Sequence, residues 1–63
     1  MRQRLIDAAV VCLNRVGFAA TTTELVRREA GVSRGAMLHH FPTKVDLVMA
    51  VAEYAAVAQD AHV

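Results

Sequence analysis

The chain has 63 residues, of which 56% are apolar and 5% aromatic, and its 7 lysine and arginine residues against 6 acidic residues give a formal net charge of +1. A chain this short forms one domain at most and buries too little surface to enclose a large active site. The charges are unevenly placed, because arginine and lysine occur only in residues 1–44 and residues 45–63 carry only acids. This distribution fits a protein that presents one end to a polyanion.

The compartment is predicted from the cysteine content and the length of the apolar runs. Cys12 is the single cysteine and cannot form an intramolecular disulfide, which is typical of a reducing cytoplasm. The longest apolar runs, residues 8–13 and 47–52, are far shorter than the roughly 20 residues of a membrane-spanning helix. Asp7 interrupts any signal-peptide core. We therefore predict a cytoplasmic chain with no membrane partner.

The first two helices are predicted from apolar periodicity and from their ends. Apolar residues recur every three or four positions over residues 3–16, and Gly17 follows as a left-handed stop. Thr21 and Glu24 have the spacing of a capping box, which predicts the start of a short second helix. This second helix is expected to end before Gly31.

Two further helices follow in the second half of the chain. Ser33 is a good N-cap for a third helix, which is expected to stop near Phe41 because Pro42 disfavours helical geometry in the residue before it. Thr43 and Asp46 repeat the capping pattern and predict a fourth helix from residue 44 onward. No strand-like alternation is longer than a few residues. The predicted fold is all-α, a three-helix helix-turn-helix (homeodomain-like) bundle plus the start of a long fourth helix.

The second and third helices carry the predicted function. They are short and joined by the turn of residues 31–33, which gives the dimensions of a DNA-reading helix-turn-helix at about residues 22–41. A helical wheel places Ala36, Met37, His40 and Phe41 on one side of the third helix. It places on the opposite side Arg34, Gly35, Leu38 and His39. This outward set combines hydrogen-bond donors, a gap for close approach and an apolar contact, which suits the major groove.

Both base and phosphate contacts are expected from this region. Arg34 has the donors to bond guanine O6 and N7 or, alternatively, a phosphate, and the sequence leaves both open. The amides after Thr22 and Thr43, the hydroxyls of Thr23 and Ser33 and the ammonium of Lys44 offer anion sites of the kind found at helix N-termini.

Three segments in order, residues 17–23 (GFAATTT), 30–36 (AGVSRGA) and 38–44 (LHHFPTK), resemble the N-terminal DNA-binding domain of the TetR family of transcriptional repressors. The resemblance covers about residues 4–51. It implies a homodimer on a palindromic double-stranded DNA operator, formed through a C-terminal effector and dimerisation domain beyond these residues. Residues 1–46 would then be the DNA-binding domain and residues 47–63 the helix that leads to the second domain.

The resemblance also assigns roles to individual positions. The implied DNA contacts are Thr23, Ser33, Arg34, Gly35, Leu38, His39, His40 and Lys44. The implied packing residues are Val26, Ala30, Met37 and Phe41.

Several positions depart from the pattern of the family. Leu38 stands where many members carry a tyrosine that reaches a phosphate, so an apolar contact, such as one to a thymine methyl, is expected instead. Arg27 replaces a small residue between the second and third helices, so that either the helices cross more loosely or the arginine stem lies along the surface and the charge stays in solvent. Arg27 and Arg28 form either a solvated face or a phosphate-facing pair. Three positions that are usually polar in the family are apolar here, namely Val11, Val16 and Leu25. We expect these residues either to extend a core or to cover an interface.

The fourth helix leaves an alternative function open. Asp46, Glu53 and Asp60 form one narrow stripe on it, and the broad apolar remainder predicts a covering partner. The chain could then be a helical interaction fragment that dimerises with a full-length regulator and binds DNA poorly itself. An enzyme is not expected, because no nucleophile, base and oxyanion donor can be assembled. No cofactor or metal is expected either, since adjacent histidines point about 100° apart on a helix.

Overall fold

The computed structural model describes residues 2–62, and the side chains of residues 2–57. Four helices follow one another along this range: α1 Arg2–Ala20, α2 Thr23–Ala30, α3 Arg34–His40 and α4 Lys44–His62. No strand occurs within residues 2–62, so the all-α prediction is confirmed. Over the same range, none of the helices has the length and apolar character that crossing a bilayer requires.

The first helix breaks at Gly17, where the sequence predicts its end. Gly17 has φ 82°, which favours glycine, but its ψ of 172° is extended rather than left-handed helical. The chain therefore kinks and adds one more turn, residues 18–20, where the sequence predicted a plain stop. Thr21 closes this turn, because its hydroxyl donates a hydrogen bond of 2.7 Å to the Gly17 carbonyl and its side chain is buried.

The start of α2 corrects the predicted capping box by one residue. Thr22, not Thr21, is the N-cap, and its hydroxyl oxygen accepts a 3.1 Å hydrogen bond from the Leu25 amide. Thr21 is unavailable because its hydroxyl is turned inward. Glu24 does not complete a box, and its carboxylate pairs with arginines of the same helix instead. Spacing alone does not distinguish two neighbouring threonines, whereas burial does.

The remaining predicted helix ends are confirmed. Gly31 ends α2 in the left-handed conformation, with φ 70° and ψ 33°. Ser33 caps α3 by accepting a 3.1 Å hydrogen bond from the Ala36 amide. At the start of α4, the Thr43 amide donates to the Asp46 carboxylate and the Asp46 amide donates to the Thr43 hydroxyl, both at 3.3 Å.

The core lies where α1 packs against α2 and α4, and α3 adds to it through its inner side. All four predicted packing residues are buried. The buried apolar residues are Leu5, Ile6, Ala8, Ala9, Cys12, Val26, Ala30, Val32, Met37, Phe41, Leu47 and Ala50. Burial raises the pKa of the Cys12 thiol, so the thiol stays protonated and acts as a small apolar core residue. This core fixes α3 relative to the rest of the bundle.

The fourth helix contributes one side to the core and leaves another in solvent. Leu47 and Ala50 are buried against α1, whereas Val45, Met49 and Val57 are exposed. The predicted division between residues 1–46 and 47–63 remains a prediction. Leu47 and Ala50, which it assigns to the second segment, share the core of the bundle. The exposed apolar side of α4 lies away from that core.

Candidate nucleic-acid interface

The exposed side of α3 is formed by the residues that the helical wheel assigns to it. Met37 and the capping residue Phe41 are buried, and Ala36 and His40 are half-buried. The other residues of α3 are exposed, namely Arg34, Gly35, Leu38 and His39. The predicted division of α3 into a packed side and a solvent side is therefore confirmed.

Leu38 is the large apolar side chain on this exposed side, with a relative accessibility of 45%. It follows Arg34 by four residues, the interval at which side chains on a helix are neighbours. A guanidinium donor and an isobutyl group thus share the surface of one helical turn. Together they can hydrogen-bond a base edge and contact a neighbouring methyl group.

Gly35 lies in the first turn of α3 and is exposed. Apart from its two neighbours and the backbone of α3 itself, a Cβ atom added at this position would meet no atom of the described residues within 4 Å. The packing of the chain therefore does not explain the glycine. Its missing side chain leaves the surface of α3 lower beside Arg34.

The two histidines of α3 diverge. Their ring centroids are 5.3 Å apart with the rings nearly perpendicular. His39 is exposed, whereas His40 lies 6.4 Å from the Phe41 ring and lines a surface groove with Arg2 and Pro42. The structure thus does not bring His40 to the exposed side of α3, and its DNA contact remains a prediction that rests on the family resemblance.

Thr23 and Ser33 are the first residue of α2 and the N-cap of α3. Thr23 is half-buried and Ser33 is exposed. The Ser33 hydroxyl oxygen is engaged as the cap of α3, but its O–H can still donate to an external acceptor. Both residues therefore lie at helix starts, where the sequence predicts anion contacts.

Lys44 is held beside the end of α1, a contact that the sequence did not predict. Its ammonium donates to the Phe18 carbonyl and lies 4.1 Å from the centroid of the Phe18 ring. Phe18 belongs to the short turn that Gly17 introduces. The turn of residues 18–20, which directly precedes α2, thus binds the ammonium of Lys44. No local spacing rule connects residues 18 and 44.

An ion-pair cluster occupies the outer surface of α2. Arg27 donates through Nε (3.0 Å) and Nη2 to the Glu24 carboxylate and through Nη1 to the Val32 carbonyl (3.1 Å). Arg28 Nε lies 3.4 Å from the same carboxylate. Of the two alternatives for Arg27, the structure supports the one in which its stem lies along the surface. The sequence missed the partner of its guanidinium.

The electrostatics of this cluster reach α3. Hydrogen bonding from Arg27 is the main reason that the pKa of Glu24 falls from its ordinary 4.5 to about 2, and the charges of Arg27, Arg28 and Arg34 lower it further. Arg34 is therefore within electrostatic range of α2. Since the pKa of Glu24 is lowered by folding, the pair stabilises the fold above pH 4.5 and loses this contribution as the pH falls toward 2.

No group of three or more His, Cys, Asp or Glu side chains in the described part of the chain is arranged to hold a metal ion. His62, the third histidine, lies outside the residues whose side chains are described.

Comparison with known proteins identifies the family. The family model of bacterial regulatory proteins, tetR family, matches residues 5–51. The HTH-type transcriptional regulator CymR of Pseudomonas putida is 47% identical over 51 residues, which are 81% of this chain and 25% of that protein. BetI of Serratia proteamaculans is 42% identical over 53 residues, 84% of this chain and 27% of that protein. AcnR of Corynebacterium diphtheriae, a transcriptional repressor, is 35% identical over 51 residues, 81% of this chain and 27% of that protein.

The chain spans about a quarter of the length of these relatives. No solved structure matches it at a significant level. The family match covers the helix-turn-helix and the adjoining parts of α1 and α4. The chain therefore belongs to the tetR family of bacterial regulatory proteins, and its helix-turn-helix is a non-enzymatic DNA-binding domain.

Proposed function

We propose that this chain is the DNA-reading part of a cytoplasmic transcriptional repressor that binds a palindromic operator as a homodimer, with α3 in the major groove. The observation that carries the proposal is the exposed side of α3, where Arg34, Gly35, Leu38 and His39 face away from the core. A helix that buries one side and offers donors, a glycine gap and an apolar group on the other has what groove reading requires.

Base contacts are proposed for the exposed side of α3. Arg34 donates to guanine O6 and N7, Gly35 permits the backbone to approach the bases, and His39 supplies a second polar contact. A Cβ at position 35 would meet no atom of the other helices or turns within 4 Å, which supports a role for Gly35 toward a partner. Leu38 contributes the apolar part of the recognition.

Phosphate contacts are proposed for residues at the helix starts. The hydroxyls of Thr23 and Ser33 donate to phosphate oxygens, and the ammonium of Lys44 supplies the charge. The Phe18 contact supports this role of Lys44, because a side chain that is already ordered loses less entropy on binding. His40 is included as a DNA contact on the family resemblance alone.

The homodimer is proposed to form through a C-terminal region beyond these residues. A two-fold dimer matches a palindromic operator because each protomer reads one half-site. A second candidate function is the interaction fragment that pairs with a full-length regulator. The exposed apolar side of α4, with Val45 and Met49, favours it, and the experiment below distinguishes the two.

The test selects duplexes that this chain binds from a random DNA pool and measures their affinity by fluorescence anisotropy over a range of salt concentrations. We expect a recurring half-site, repeated as a palindrome in duplexes that bind two copies of the chain, and a log affinity that falls linearly with log salt. Lys44→Ala should weaken binding to all duplexes and reduce the salt slope by about one. Arg4→Ala is the matched control, because Arg4 lines a groove with Glu29 and Ala30 at the opposite end of α2 from Thr23.

Two results would contradict the proposal. A chain shown to be folded and dimeric that binds no DNA would favour the interaction fragment. An equal loss of slope in Arg4→Ala and Lys44→Ala would mean that the chain binds DNA through its overall charge, without the predicted surface.

Leu38 is expected to read a thymine methyl group in the selected operator. Replacing that thymine with deoxyuridine removes only the methyl and should weaken binding by about threefold to fivefold, the value of one buried methyl-sized group. In Leu38→Ala the same replacement should have no effect. The measurement is a scan of deoxyuridine through every thymine of the operator with both proteins. If every position gives equal losses in both proteins, Leu38 contacts no methyl.

A further inference from the structure

We infer that Arg27 is a positioning residue, which fixes α3 for DNA reading by tying the turn of residues 31–33 to α2 and does not itself contact DNA. The inference rests on the proposed DNA-reading function of α3. It concerns a position where this chain departs from the small residue usual in its family.

Both backbone groups of Val32, the carbonyl and the amide, form hydrogen bonds with Arg27. Its carbonyl accepts from Arg27 Nη1 at 3.1 Å, and its amide donates to the Arg27 carbonyl at 3.3 Å. The Gly31 amide also donates to the Arg27 carbonyl, at 3.0 Å. One residue of α2 thus holds the turn through its main chain and its side chain together.

The guanidinium of Arg27 links α2 to the turn as one rigid, planar group. Its other donors, Nε and Nη2, bind the Glu24 carboxylate one turn earlier on α2. Glu24 therefore orients the plane of the group, and the plane fixes where the Val32 carbonyl is held. Val32 is buried and precedes Arg34 by two residues, so the first turn of α3 follows its position.

The same geometry argues against a phosphate contact by Arg27. Its side chain is 25% accessible, compared with 72% for the neighbouring Arg28. Three of its nitrogen atoms already have acceptors within this chain. A phosphate would have to displace the Glu24 carboxylate or approach its negative charge. The phosphate-facing role that the sequence left open for Arg27 is thereby excluded in favour of positioning.

The experiment compares four variants on the selected operator and on mixed-sequence duplex over a range of salt concentrations. Arg27→Met keeps the apolar stem and removes the donors, Arg27→Lys keeps the charge, Glu24→Gln removes the orienting carboxylate, and Arg28→Met is the matched control. We expect Arg27→Met to lower the preference for operator over mixed sequence about fivefold to tenfold, since misplaced base contacts resemble a mismatched pair. Its salt slope should stay unchanged, because no phosphate contact is lost.

Arg27→Lys should not restore the preference, because an ammonium lacks the planar fork that spans two acceptors. Arg28→Met should leave the preference unchanged. A salt slope reduced by about one in Arg27→Met, with restoration by Arg27→Lys, would make Arg27 a phosphate ligand and overturn the inference. Retained preference in both Arg27→Met and Glu24→Gln would also overturn it.

Folding is checked by far-ultraviolet circular dichroism for every variant. Should Arg27→Met unfold, the more exposed Glu24→Gln carries the test, with a smaller loss of preference in the same direction. If the unsubstituted chain is folded and dimeric and binds no DNA, the proposed function fails. If that chain binds DNA and the variants discriminate equally well, the inference about Arg27 fails alone.

Discussion

Leu47→Ala is expected to lower the free energy of unfolding by about 2–4 kcal/mol, the largest stability effect that we predict for a single substitution in this chain. Leu47 is 1% exposed and lies in the core where α4 packs against α1. Alanine would leave a cavity there that the short helices can close only in part. A chain of 63 residues has a small margin of stability, so the variant should be largely unfolded in dilute buffer at ambient temperature.

The measurement is urea unfolding followed by circular dichroism, with sucrose added so that the folded baseline of both proteins is visible. Met49→Ala is the matched control, because Met49 is on the same helix two residues away and is 61% exposed. It should change the free energy of unfolding by less than about 0.5 kcal/mol. Equal losses in the two variants would mean that α4 does not pack through Leu47.

Arg34→Ala is expected to weaken binding to the selected operator by about 1–3 kcal/mol, which is roughly fivefold to 150-fold, and to relax the base preference at one position of each half-site. Arg34 is exposed in the first turn of α3, beside Gly35 and one turn before Leu38. Its five donors match the two acceptors of guanine. Stability should be nearly unchanged, because no buried group is lost.

Substituted guanines distinguish base reading from phosphate binding. An operator with 7-deazaguanine at the position that Arg34 contacts lacks the N7 acceptor. The unsubstituted chain should therefore bind it more weakly than the guanine operator, whereas Arg34→Ala should bind both operators equally. The affinities of both proteins for both duplexes form a double-mutant cycle. A uniform loss on all sequences with a salt slope reduced by about one would instead identify Arg34 as a phosphate contact.

Local rules explain why most helix ends were predictable. Gly31, Ser33 and the pair Thr43 and Asp46 act on backbone groups no more than four residues away, so their spacing in the sequence is enough to fix the result. Gly17 was located as a break for the same reason. The short turn after it was not predicted, because a positive φ is compatible with more than one value of ψ.

Thr21 and Thr22 show where such rules stop. Both can cap a helix, and the sequence pattern favoured Thr21. The structure instead buries Thr21 under the kink at Gly17, and Thr22 takes the cap. The choice depends on which side chain the core excludes from solvent, and spacing carries no information about that.

The exposed side of α3 was predictable because helical periodicity alone assigns its faces. The contacts that hold the residues around α3 in place were not predictable in this way. Lys44 donates a hydrogen bond to the carbonyl of Phe18, 26 positions earlier in the chain. Arg27 donates one to the Val32 carbonyl and not only to solvent. The sequence by itself therefore determined the helices, their order and which residues α3 presents. Only the tertiary structure decided how Lys44 is held, because packing brings it to a carbonyl 26 residues away. It also decided which acceptors Arg27 binds, because its guanidinium has several within reach on α2 and in the turn.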